Sequence, residues 1–186
     1  MGTLRRIAMP ILWTMITTPA FGQSAPEGFR DLKWGAPQAD VSRALPAARC
    51  NPQSNNEFSD WYCLLAGEFV NGVSVTIMIG GYDTGRVVGM KDVAVFFDSD
   101  EVPRILEAFE SRYGRWTRAE DEAFVTSGGG RYPNTQWIWE FPNARLKVVQ
   151  HGERLGRGQA TMTLRAAMDE AMARQAARKR GAGKGL

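Results

Sequence analysis

The segment Phe58 to Ile79, FSDWYCLLAGEFVNGVSVTIMI, decides how this chain folds. In its first half, Phe58, Tyr62 and Leu64 fall on one side of an extended chain and Trp61, Cys63 and Leu65 on the other. In its second half, Val73, Val75, Ile77 and Ile79 alternate with Ser74 and Thr76. Strand side chains repeat every two residues, so this alternation predicts two strands, the second half-buried. Between them stands Asn71-Gly72, a pair that tolerates the left-handed backbone of a tight two-residue turn, which makes the two strands an antiparallel hairpin.

Working outward, Gly80 to Gly85 reads as the next turn and Val87 to Phe97 as a third strand, with Val93, Val95 and Phe97 on one face. Upstream, Phe29 to Gly35 predicts a short extended arm pinned by Phe29, Leu32 and Trp34. A short helix follows, with Pro37 in its first turn, Val41, Ala44 and Leu45 on its apolar face and Pro46 as its stop. Downstream, Ser99 or Asp100 caps a second helix that buries Val102, Ile105, Leu106 and Phe109 and closes at Tyr113-Gly114. Trp116 to Tyr132 is polar, contains Ser127-Gly128-Gly129-Gly130, and reads as a long loop. Three more strands are expected around Trp137 to Phe141, Leu146 to Val148 and Ala160 to Leu164, then a helix over 166–178 and a disordered tail over 181–186. The chain is therefore expected to be α+β: an antiparallel sheet from two helix-plus-three-strand halves, about 29–98 and 99–166. The helices would pack on one face, with an extra C-terminal helix, because that arrangement buries one face of each alternating strand.

Residues 1–22 have the order of a secretory signal peptide: Arg5 and Arg6, an apolar stretch from Ile7 to Thr18, and small residues at Ala20 and Gly22. Cleavage after Gly22 would leave 23–180 as one domain in the periplasm or outside the cell. The cysteine count agrees with export. Cys50 and Cys63, the only two, bracket a polar loop, and in an oxidising compartment such a pair is expected to form a disulfide. Charge is unevenly spread. Residues 23–164 hold 15 basic and 18 acidic side chains, whereas 165–186 hold 6 basic and 2 acidic. The pI near 9.1 thus owes much to the two ends of the chain, and a nucleic-acid partner loses its electrostatic basis.

Phe29-x-x-Leu32-x-Trp34-Gly35 before a short helix, with Tyr113-Gly114 after the second helix and a Trp-bearing strand beyond, resembles small secreted bacterial proteins of unassigned function. The helix-plus-strands repeat is similar in architecture to β-lactamase-inhibitory proteins. That resemblance implies the fold; no inhibitory-loop motif of those proteins is matched here, and function resides in sites and not folds.

Catalytic chemistry finds little to use. His151 is the single histidine and is expected on a turn, with no Gly-x-Ser-x-Gly elbow elsewhere in the chain. Asp98-Ser99-Asp100-Glu101 coincides with a helix start, where acids are favoured by the backbone dipole, and lacks calcium-loop spacing. No metal site, cofactor or catalytic residue is assigned. The expected function is non-enzymatic binding of a protein or cell-envelope component. Trp116, Arg118, Arg131 and Tyr132 are the candidate partner contacts, since aromatic and arginine side chains dominate binding hot spots. Two rival readings are a small hydrolase using His151 and a structural envelope factor touching the membrane through its basic C-terminal helix.

Overall fold

The computed structural model describes residues 25–52 and 58–182. The expected signal peptide, residues 53–57 of the loop between the cysteines and residues 183–186 lie outside the described residues. A small two-stranded hairpin, β1 (Gly28–Phe29) and β2 (Leu32–Lys33), replaces the expected extended arm. Arg30 turns the chain with a φ of 53°. Helix α1 (Gln38–Ala44) follows, then strands β3 (Arg49–Pro52), β4 (Trp61–Val70), β5 (Val73–Tyr82) and β6 (Gly89–Asp98). The second half repeats the order: α2 (Val102–Tyr113), then β7 (Arg118–Val125), β8 (Arg131–Glu140), β9 (Ala144–Val149) and β10 (Arg157–Leu164). Helix α3 (Arg165–Ala182) ends the described chain; it begins one residue earlier than expected and runs past 178 into 181–182, the start of the expected tail.

The strands form one antiparallel sheet of eight in the order β3-β4-β5-β6-β10-β9-β8-β7. Each half is a meander, and the last strands of the two meanders pair antiparallel at the centre, Phe97 opposite Gly158 and Val93 opposite Met162. Each half carries four strands where three were expected, the additions being the outermost strands β3 and β7. Trp116 to Tyr132 is accordingly a β-hairpin and not a long loop: β7 and β8 pair from Arg118–Ile138 to Val125–Arg131, leaving only 126–130 as the turn. The reason is physical. An outermost strand has one neighbour and little to bury, so β7 needs no apolar alternation. Its Glu120, Asp121 and Glu122 also discourage pairing with another sheet edge.

The Asn71-Gly72 turn takes positive φ at both residues, 49° and 73°, as a type I′ hairpin requires. Its tip docks on α2, where Asn71 Nδ2 donates to the Arg104 carbonyl at 3.1 Å and Arg104 donates back to the Asn71 carbonyl at 3.1 Å. The second helix starts through one 3-10 turn, Ser99–Glu101, with no side-chain capping bond, so the expected Ser99 or Asp100 cap is not made. Gly114 closes it with φ 75° and an N–H bond to the Glu110 carbonyl.

One face of the sheet carries the core: Trp61, Cys63 and Leu65 on β4, Val75, Ile77 and Ile79 on β5, Val93, Val95 and Phe97 on β6, Leu146 and Val148 on β9, and Trp139 on β8. Val41 and Leu45 of the α1 region and Val102 and Ile105 of α2 pack onto it. Gly81 must lack a side chain, since a Cβ there would stand 2.0 Å from the buried Trp61 ring. The Cys50–Cys63 disulfide joins register partners on β3 and β4, pinning the short outer strand to the core.

Helix α3 is held differently. Among residues 165–180 only Ala167 is fully buried, and the helix's anchor is polar. The Arg174 guanidinium lies 3.8 Å above the Tyr82 ring and pairs with Asp60 at 2.8 Å and Glu170 at 3.1 Å. Lys91, the extra residue at the β5–β6 irregularity, lies 4.9 Å from the same ring centre and bonds Asp92. Tyr82 follows Gly81 and so points away from Trp61, toward the face opposite the core. There burial pushes its hydroxyl up to about 12, against the opposing pull of Arg174.

Candidate binding sites

The face opposite the core is the first candidate. Alternate residues of the central strands, Tyr62, Leu64, Thr76, Met78 and Phe96, are half-buried here without belonging to the main core. The β9–β10 loop curls over this face. Asn134, itself buried, grips the loop by both backbone atoms of His151: its Nδ2 donates to the His151 carbonyl at 3.0 Å and its Oδ1 accepts from the His151 N–H at 2.8 Å. Gly152 N–H to the Arg157 carbonyl, 2.8 Å, closes the loop. Leu64, Thr76, Met78 and Phe96 then share a depression of about 380 Å³ with Glu153, Arg154 and Arg157, Arg157 being tied to Asp98 at 3.1 Å. The depression thus has an apolar floor and a charged rim.

His151 is half-buried within that loop. Its Nδ1 accepts from the Gly156 N–H at 3.3 Å and its ring meets Phe124 edge-on at 5.8 Å. Among the described residues no hydroxyl or carboxylate hydrogen-bonds the ring, and no group of three or more metal-ligating side chains occurs.

The four residues singled out from the sequence are not brought together. Trp116 is half-buried against Trp139, edge-to-face at 6.4 Å, as part of the packing behind the sheet. Arg118 lies on the opposite face, paired with Glu120 at 2.7 Å and Glu140 at 3.5 Å. Tyr132 shares Arg118's face but is paired with Phe124, six residues along β7, or roughly 20 Å at strand spacing. Arg131, next to it, is exposed on the other side of the hairpin. Leu64, Met78 and Phe96 carried a signal that went unused: they make the second face of their strands apolar too, which a fully solvated face does not require.

At the other end of these strands, where Glu140 pairs with Arg145, Glu140 gathers Arg145 at 3.0 Å, Arg165 at 2.5 Å and Arg118. Burial alone would raise its carboxyl, but the Arg145 bond and the charges of Arg145, Arg165 and Arg118 outweigh it and hold the group below the usual carboxylate range. Asp60 is lowered in the same way: burial opposes, while the Arg174 bond and the Asp83 amide prevail. A lowered folded-state pKa contributes stability that is present above the unfolded value, about 4, and disappears as pH falls through the folded value. Urea midpoints are therefore expected to be level at neutral pH and to fall below about pH 4. Glu140→Gln should flatten that acid limb, and an unchanged acid limb in the variant would refute the assignment.

A second site lies on the core side. Helix α2, the β1–β2 hairpin and the central strands leave a chamber of about 270 Å³ lined by apolar side chains such as Ile77, Val93, Val95, Phe109, Leu146 and Met162. Arg30 and Arg112, both exposed, and half-buried Tyr113 complete its lining and mark where it opens to solvent. The β1–β2 hairpin is tied to β4 by an Arg30–Glu68 ion pair, and its own two flanks are joined by Trp34 Nε1 donating to the Pro26 carbonyl at 2.7 Å.

Compared with known proteins, the chain matches no family model, no curated sequence and no solved structure. No described helix is long and apolar enough to cross a membrane.

Proposed function

We propose that this chain is an exported, periplasmic binding protein, not a catalyst, and that it holds a protein partner on the face of its sheet opposite the core. The depression floored by Leu64, Met78 and Phe96 carries the reading, because apolar groups beneath a rim of Arg154, Arg157 and Glu153 suit an apolar partner side chain flanked by charge. The disulfide fits an oxidising compartment. A hydrolase built on His151 draws no support from a ring whose contacts are a backbone amide and Phe124.

The test is a photo-crosslinking amino acid placed at Met78, with Ser111 on the exposed side of α2 as the control, in cells exporting the protein. A discrete adduct at Met78 and none at Ser111 is expected. Equal adducts at both positions, or none at Met78, would remove the proposal.

A further inference from the structure

We infer that the chamber beneath α2 is a binding site for a medium-chain amphiphile with an anionic head, such as a free carboxylate of about ten carbons. The inference concerns the core side of the sheet and stands apart from the partner surface on the other face. Three observations carry it.

The chamber's wall is apolar from end to end on the sheet side, where Ile77, Val93, Val95, Leu146, Ala160 and Met162 contribute from four adjacent strands. An apolar cavity of ~150 Å³ accommodates benzene, so about 270 Å³ suits roughly ten non-hydrogen atoms and no bulky head group. The chamber's charged lining is also confined to two residues. Among the described residues that line it, the charged ones are Arg30 and Arg112, both at the mouth with Tyr113. Arg30 is already paired with Glu68. Arg112 stacks over the Tyr113 ring at 5.4 Å, and among the described residues no carboxylate pairs with it. Outside the mouth a recess of about 270 Å³ shares Gly28, Arg30, Arg112 and Tyr113 with the chamber, and Glu27 stands at its rim. A carboxylate at the mouth would thus meet a guanidinium able to hold both its oxygens, whereas a cationic head of the same chain length would meet like charge. A neutral alcohol would gain the chamber but not the head-group bond.

The experiment is a titration of the disulfide-bonded protein with sodium decanoate, followed by amide chemical shifts, with decyltrimethylammonium as the opposite-charge probe. Saturable binding of decanoate is expected, with shifts concentrated at Val93–Val95 and Ala108–Tyr113, and binding of the cation at least tenfold weaker. Arg112→Gln, on the exposed side of α2, should leave the fold intact and weaken decanoate at least tenfold. Ala108→Phe should fill the chamber and abolish binding; if that variant does not fold, Arg112→Gln decides. Absence of saturable decanoate binding, equal affinity for anion and cation, or decanoate binding unchanged by Arg112→Gln overturns the assignment.

Discussion

Trp139→Ala is expected to lower the stability of the domain by about 3–5 kcal/mol, the range for emptying an aromatic site in a core. Trp139 is fully buried and holds three parts of the second half together. Phe109 of α2 meets its ring at 6.3 Å, Trp116 meets it edge-to-face at 6.4 Å, and its Nε1 donates to the Gly114 carbonyl at 2.7 Å. Removing the ring opens a cavity and also orphans the carbonyl at the end of α2, so helix and sheet lose their common post. For a domain of this size the loss corresponds to a melting temperature lower by about 6–20 °C. Trp139→Phe should recover most of the packing but not the bond to Gly114. If Trp139→Ala melts within a degree or two of the parent, the pillar role is wrong.

Cys63→Ser is expected to cost about 2–5 kcal/mol, as for a native disulfide lost from a small exported domain. Two effects act together here. The bond constrains the unfolded chain over a separation of 13 residues, and Cys63 is fully buried in the core, where a serine hydroxyl would need a partner. The change should also be local in the folded state. Strand β3 has four residues and a single neighbour, so without its bond to Cys63 it should exchange its amide hydrogens well before β5 and β6. Cys50→Ser, which leaves the core thiol in place, should show the same early exchange with a smaller loss of stability. Uniform exchange across the sheet in both variants would show that the disulfide does not anchor β3.

The hairpin at Asn71-Gly72, the alternation through β5 and β6, the two helices of the halves and the cysteine pair are all legible in the residues. Each rests on local physics: a turn that needs positive φ, a side-chain period of two or of 3.6, two thiols thirteen residues apart. What escaped was whatever depends on neighbours far along the chain. Strand β7 is written as a polar acidic run and is a strand only because β8 lies beside it. Trp116 and Tyr132 looked alike as loop aromatics, yet one packs behind the sheet and the other is exposed, since their positions relative to Trp137 and Trp139 exist only once β8 is paired. The anchor of α3 is equally unreadable locally, because Asp60, Tyr82 and Arg174 meet over a separation of 114 residues between the first and the last.

The same division holds for the sites. From the residues alone come the α+β class, the antiparallel pairing and the expectation of export with a disulfide, because composition and short-range periodicity decide them. The depression under the β9–β10 loop and the chamber under α2 are the work of tertiary structure. Leu64, Met78 and Phe96 become one surface only when three strands align in register, and Arg30 and Arg112 reach one mouth only when the first hairpin folds across the second helix. Register and docking are set by the burial of whole faces, and no local stretch of sequence contains both sides of such a contact.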